Sequence, residues 1–288
     1  MSLDSALPQV VVTRPQPEAQ AWVDALAQRG VRAIALPLIE IRPSRHAPAL
    51  ASAWAEISCF QAVMFVSASA VRYFFAARPP ESCPAAIDAW RAWATGPGTA
   101  KALQQAGIPP ERIDCPLADS PQLDSEALWA QVKPQINEAA DTARPHGRPT
   151  RPRRVLIVRG SDAQGRKAGR DWLAQQLSAQ GIHVEFAVAY ERHGPPWSAA
   201  MRIQARQASF SDGGGSAQDA PVWVFSSSEA VANLRQALPD LSWANACAIA
   251  THPRIAQAAR TAGFGVVCES RPGLDAVLAS LASIKSKA

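Results

Sequence analysis

Short runs of this sequence set hydroxyls, guanidinium groups and bare backbone where an anion could be met. Thr95-Gly96-Pro97-Gly98-Thr99-Ala100-Lys101 follows an apolar stretch and opens a helical one. Glycines there let a ligand approach the backbone, N–H groups at a helix start attract negative charge, and Thr99 can cap the helix. A capped turn without a ligand accounts for the same residues. Ser67-Ala68-Ser69 and Ser226-Ser227-Ser228 close two apolar strands. Open α/β sheets bind ligands beyond such strand ends, and serine also caps helices routinely. Arg14, and Arg159 with Gly160 after it, end matching strands. A guanidinium placed there is a natural fork for a carboxylate, or else pairs with a local acid. Arg166, Lys167 and Arg170 add charge close by. Tyr190, one of two tyrosines, also ends an apolar strand. Its phenol can assist a departing hydroxyl, or pack with its oxygen wet. His252 and Arg254 stand in a second strand-to-helix turn, THPRI.

The patterns of several common chemistries are missing. There is no GxSxG elbow, no HExxH, no Walker motif and no carboxylate pair at a useful spacing. The histidines (His46, His146, His183, His193, His252) show no metal-ligand spacing. The cysteines (Cys59, Cys83, Cys115, Cys247, Cys268) are scattered without a CxxC pair, as in a reduced protein with no disulfide frame. The GPGTAK turn holds the first two glycines of a dinucleotide fingerprint, but Lys101 takes the third position and no acidic ribose reader follows at the expected distance.

The elements that must position these residues alternate strand and helix. Val10 to Thr13 predicts a strand, Pro17 to Gly30 a helix with Trp22, Val23 and Leu26 on one face, and Val31 to Leu36 a strand. The same phrase returns as a strand from Arg154 to Val158, a helix from Gly169 to Gln180 and a strand from His183 to Val188. A second phrase also occurs twice. QAVMFVSASAVRYFF matches PVWVFSSSEAVANLRQAL, then AWATGPGTAKALQQAGI matches CAIATHPRIAQAARTAGF, and each copy closes with an acidic helix start. The order is therefore A, B, A, B, with about five strands per A plus B. Parallel sheets covered by helices on both faces follow from this alternation. Asn137 to Arg153 and Ser209 to Ala220 are rich in Gly, Pro and Ser and read as irregular, mobile segments. The pairing of A with B is open at this point: sequential, or interleaved with the middle B and A as an inserted domain. LPLIEIRP (36–43) and FAVAYERHGP (186–195) would then be crossover segments forming a two-stranded hinge.

The chain has 288 residues, 48% of them hydrophobic and 18% charged, enough for two folded domains. No apolar run is long enough to cross a membrane, and the N-terminus lacks the features of a signal peptide. Net charge is +5, which favours an anionic partner. Arg144, Arg148, Arg151, Arg153 and Arg154 hold five of those positive charges in one stretch, so a single solvated loop can account for the excess.

Taken in order, VTRP, VMFVSASAV, TGPGTAKALQQAG, SEALW, VLIVRG, VAYER, VWVFSSSEAV and AARTAGF resemble the uroporphyrinogen-III synthase family over nearly the whole chain. The resemblance implies the interleaved form: residues 1–41 and 193–288 as domain one, 44–188 as an inserted domain two, each a parallel five-stranded sheet with helices on both faces, and the substrate in the cleft between. It implies a cytoplasmic monomer without metal or organic cofactor, which partners neither nucleic acid nor membrane. The substrate would be hydroxymethylbilane, a linear tetrapyrrole with eight carboxylates, handed over from the upstream deaminase and closed with inversion of its last ring on the way to haem, sirohaem and cobalamin. By position, Tyr190 matches the tyrosine thought to assist loss of the terminal hydroxyl. Thr99 matches the threonine of the first turn, Ser67 and Ser69 the serines of domain two, and Ser226 and Ser227 those of domain one. THPRI departs from the usual GPTT-like second turn: His252 takes a glycine position and Ile255 a threonine position, so His252 or Arg254 would replace the contacts. The rival readings are a two-lobed binding module without catalysis and a nucleotide or phosphosugar binder using the GPGTAK turn.

Overall fold

Three consecutive β-branched residues, Val10 to Val12, are fully buried and sit in the interior of a sheet, the position that suits their stiff side chains. The computed structural model describes residues 7–80, 89–117, 125–142, 153–166, 171–195, 197–209 and 220–287. Cys83, His146, Lys167, Arg170, Arg144, Arg148, Arg151 and most of both Gly/Pro/Ser-rich stretches lie outside them. In chain order the first elements are β1 (Val10–Val12), α1 (Glu18–Ala27), β2 (Ala33–Ala35), β3 (Glu40–Pro43), α2 (Ala47–Ala55), β4 (Ala62–Phe65), α3 (Ala68–Ala76), β5 (Arg91–Ala94), α4 (Pro97–Gln105), β6 (Ile113–Asp114) and α5 (Ser125–Thr142). Then come β7 (Arg154–Asp162), α6 (Trp172–Ala179), β8 (His183–His193), α7 (Ala199–Gln207), β9 (Val222–Phe225), α8 (Ser228–Ala237), β10 (Cys247–Ala250), α9 (Pro253–Thr261), β11 (Val266–Glu269) and α10 (Leu274–Lys287).

The chain divides into two units, Met1–Ile41 with His193–Ala288, and Arg42–Arg192. The first unit holds a sheet in the order β11-β10-β9-β1-β2, every neighbour parallel. Successive side chains of a strand face opposite ways, and here both sets are buried. Val11, Trp223, Phe225, Ala248 and Ala250 pack against Val231, Leu234, Ile255 and Ala259 of α8 and α9. Val10, Val12, Val222, Val224 and Ile249 pack against Leu26 of α1 and Val277 and Leu281 of α10.

The second sheet has the order β3-β8-β7-β4-β5-β6. On one face Ala62, Met64, Trp93, Val155 and Ile157 meet Leu128, Val132 and Ile136 of α5 and Leu173 and Leu177 of α6. On the other, Phe65 and Trp90 join Trp54, Phe74 and Phe75 in an aromatic cluster. Helices α1 and α6 both stop at glycines in the left-handed region, Gly30 (φ 71°) and Gly181 (φ 71°), as their shared phrase requires.

Several expectations need correction. The second sheet has six strands, not five, because Glu40–Pro43, read as hinge alone, adds an edge strand beside β8. Helix α5 runs to Thr142, so Asn137 to Thr142 is regular structure; Pro134 inside it does not end it. Strands β7 and β8 continue past Val158 and Val188 to Asp162 and His193, since parallel pairing carries on to Asp162 and Arg192 after a bulge. Arg159 and Tyr190 therefore lie within strands, not at their ends. Thr99 does not cap α4: Pro97 takes the first helical position, which makes Gly96 the cap. No helix among the described residues is long and apolar enough to cross a membrane.

Trp223 is fully buried, stands edge-on to Trp243 at 5.3 Å and donates its indole N–H to the Ala208 carbonyl at 3.2 Å. Trp223→Ala is expected to lower unfolding free energy by about 3–5 kcal/mol, read as a lower denaturant midpoint at unchanged slope. An unaltered midpoint would contradict this packing.

Candidate active site

Both sheets reverse their strand order once. In the first unit the chain spreads from β1 to β2 on one side and from β9 to β11 on the other, so the reversal lies between β1 and β9. In the second it lies between β7 and β4. Open α/β sheets take ligands outside the carboxyl ends of the strands at such a point. Among the described residues, the candidate serines, glycines, arginines, Thr99, Tyr190 and His252 lie at, just beyond or near those carboxyl ends. Arg14 follows β1, Ser226 and Ser227 follow β9, and His252 and Arg254 follow β10. Ser67 and Ser69 follow β4, Gly96, Gly98 and Thr99 follow β5, and Arg159, Gly160 and Tyr190 lie in the late parts of β7 and β8.

In the second unit three of these residues touch. Tyr190 pairs in register with Gly160, and its ring is only 5% exposed. A Cβ built on Gly160 would stand 2.5 Å from the Tyr190 ring, so only glycine admits the ring there. Strands lie about 4.8 Å apart. By crossing β7 at this bare position, the phenol on β8 reaches the end of β4, where Tyr190 Oη and Ser67 Oγ share a hydrogen bond of 3.1 Å. Ser67 also caps α3, accepting the Ala70 N–H at 3.1 Å. Tyr73 on α3 stacks on Tyr190 with centroids 6.1 Å apart. Ser69 is buried and its Oγ accepts from Arg72 at 3.1 Å.

Thr99 is buried in the first turn of α4, whereas Gly98 is exposed with open space where a side chain would stand. Thr95 Oγ1 donates to the Val66 carbonyl at 3.2 Å, tying the β5 end to the β4 end. Arg159 is not an open fork. It is 4% exposed, lies over the Phe186 ring at 3.8 Å and donates to Asp171 at 2.7 Å.

The first unit repeats the plan with different contacts. Ser227 caps α8, accepting the Glu229 N–H at 3.2 Å, and Ser226 precedes it. Thr13 Oγ1 donates to the Val224 carbonyl at 2.7 Å across the reversal point. Arg14 lies over the Trp22 ring at 4.3 Å and 3.7 Å from Glu18. Burial pushes its guanidinium below the usual arginine range, and Glu18 opposes that shift. His252 caps α9 through Nδ1, which accepts the Arg254 N–H at 3.1 Å, so in the neutral ring Nε2 carries the proton and points away from the cap. The Arg254 side chain is exposed, and Ile255 is buried as Thr99 is. Four helices, α3, α4, α8 and α9, start at these edges, and their positive ends suit carboxylates.

The sequence reading gave no role of their own to Thr13, Thr95 and Tyr73. Thr95 and Thr251 stand at matching places in TGP and THP, and Tyr73 is the chain's other tyrosine, six residues after Ser67. Those coincidences were the available signal.

The family model described as uroporphyrinogen-III synthase HemD matches residues 20–279. The uroporphyrinogen-III synthase of Salmonella typhimurium is 30% identical over 186 residues, which cover 64% of this chain and 64% of that protein. The one from Chlorobaculum parvum is 29% identical over 131 residues, 44% of this chain and 50% of that protein. The chain thus spans between half and two thirds of the curated relatives it matches. Among solved structures, uroporphyrinogen-III synthetase from Helicobacter pylori aligns with a TM-score of 0.55 at 16% identity, over 96% of this chain and 100% of that one. A mutant uroporphyrinogen III synthase from Thermus thermophilus aligns at 0.53 and 15%, over 98% and 100%. These last two likenesses are of fold. A family match over most of the length, joined to this doubly repeated α/β plan, places the chain in the uroporphyrinogen-III synthase family.

Proposed function

We propose that the chain closes hydroxymethylbilane to uroporphyrinogen III. One observation supports this beyond family membership: a buried phenol, Tyr190, reaches the strand-order reversal of the second sheet and meets a serine there. The C–O bond of the terminal hydroxymethyl breaks with its electron pair on oxygen. That oxygen takes the Tyr190 proton and leaves as water, while the adjacent pyrrole nitrogen stabilises the azafulvene cation left behind. The substituted carbon of the last ring attacks first, and the strained spiro intermediate fragments and recloses with that ring inverted. The proton released at closure returns to the phenolate. Atoms balance as bilane to macrocycle plus water.

Left in water, the bilane closes directly to the symmetric isomer. Most of the enzyme's work is therefore orientation. In this proposal the substrate carboxylates are received by Ser69, Gly96, Gly98 and Thr99 in one unit and by Arg14, Ser226, Ser227, His252 and Arg254 in the other. Ser67 and Gly160 frame Tyr190, and Arg159 contributes positive potential from beneath. Residues 1–41 and 193–288 would form one domain and 44–188 an inserted one, with 36–43 and 186–195 as hinge segments. The enzyme would act as a cytoplasmic monomer and take the bilane from the deaminase.

The test is a coupled assay. Porphobilinogen and its deaminase generate the bilane, this protein is added, and the oxidised isomers are separated. Type III should dominate only with the protein present. Type I at the no-enzyme level, from folded protein, would leave a binding module without catalysis. In the same assay Tyr190→Phe is expected to lower turnover by about a hundred-fold without abolishing it, the lower end of what a lost general acid costs. Unchanged turnover would remove the role given to the phenol. Gly160→Ala should cost about 1–3 kcal/mol of stability as the ring is displaced, and turnover with it. A melting temperature equal to the parent's would show that the ring yields freely.

A further inference from the structure

We propose that Ser67 is a positioning residue that acts through Tyr190: it gives its own hydroxyl proton to Tyr190 Oη and so leaves the phenol proton for the departing hydroxyl. The inference rests on the functional reading above and assigns the direction of one hydrogen bond within it.

A serine hydroxyl has one proton and two lone pairs. One lone pair of Ser67 is committed, because Oγ accepts the Ala70 N–H at 3.1 Å. Its proton is left for a second partner, and among the described residues Tyr190 Oη at 3.1 Å is that partner. If Ser67 donates, both oxygens are served and the Tyr190 proton is free. If Tyr190 donates instead, its proton is spent on Ser67 and the Ser67 proton has no acceptor in that set. The first arrangement is also the one that serves the reaction. Once the phenol has lost its proton, a donor already aimed at Oη meets the charge without rearrangement, and hydrogen bonds to charged groups are the stronger ones.

The internal repeat shows that capping alone does not call for this contact. Ser227 occupies the place of Ser67 and also caps its helix, α8, by accepting the Glu229 N–H. Gly160 corresponds to Pro15, and Tyr190 to Ile39, which is buried and has no hydroxyl. The first unit therefore keeps the serine cap without the phenol. In the second unit the tyrosine and the bare strand position that admits it appear together, and the cap serine acquires a second partner.

The experiment compares Ser67→Ala, Ser67→Thr, Tyr190→Phe and Ser67→Ala/Tyr190→Phe in the isomer assay, with melting curves to establish that each is folded at the assay temperature. Ser67→Ala is expected to lower kcat by about five-fold, the weight of one hydrogen bond, with KM little changed. Ser67→Thr, which keeps both the cap and the proton, should restore most of the rate. In the Tyr190→Phe background, Ser67→Ala should add no further loss. Equal losses from Ser67→Ala in both backgrounds, or a change confined to KM, would overturn the proposal and make Ser67 a direct substrate contact or a helix cap only. Failure of the functional reading shows separately, as no type III isomer from the parent protein or as an undiminished Tyr190→Phe.

Discussion

The ring of Tyr190 crosses β7 at the one place where the strand has no side chain. A methyl group at Gly160 would press to within 2.5 Å of the ring, closer than non-bonded carbon atoms approach. With the position bare, the ring is buried, keeps its register on β8 and delivers its oxygen to the end of β4, two strands away. The bulge between Arg159 and Gly160 belongs to the same adjustment, because it shifts the pairing so that Gly160 opposes Tyr190. From this contact follow the stacking with Tyr73, the second bond of Ser67 and the place of a phenol at the sheet's reversal point.

The rest of the architecture is a frame used twice. In each unit the second A strand, the first A strand and then the three B strands lie side by side in the same order, although the chain visits A first in one unit and B first in the other. Helix caps recur at matching positions, Ser67 with Ser227 and Gly96 with His252. Chemistry is not duplicated. The second unit carries the phenol, and the first carries Ile39 in its place and a histidine cap. In the function proposed here, one copy of the frame holds carboxylates while the other holds them and moves a proton.

Much of this was legible in the residues. The repeated phrases gave the parallel sheets, because buried β-branched runs followed by amphipathic helices have few other solutions. The serine clusters were legible because capping needs a short hydroxyl side chain at one place. Strand lengths were less so. Arg159 and Tyr190 seemed to end strands because hydrophobicity falls there, yet parallel pairing continued through Ser161 and Glu191, both buried polar residues. Glu191 is held by Arg45, whose N–H and Nε donate to it at 3.1 and 3.0 Å, a partner far away in sequence. Thr99 looked like a cap because threonine caps well, but Pro97 fixes the first helical position and decides the matter. For Arg159 the residues left an open fork and a pair with an acid undecided, because the acid it does meet, Asp171, lies twelve residues on, beyond any local pattern.

The most direct measurement is a crystal structure with a bilane analogue that keeps the terminal hydroxymethyl but is blocked at the attacking carbon of the last ring. The account predicts that the hydroxymethyl oxygen lies within hydrogen-bond reach of Tyr190 Oη, about 2.6–3.2 Å, with the Ser67 contact kept. A bound analogue whose hydroxymethyl points elsewhere, with Tyr190 still tied to Ser67 and touching no reacting atom, would contradict it.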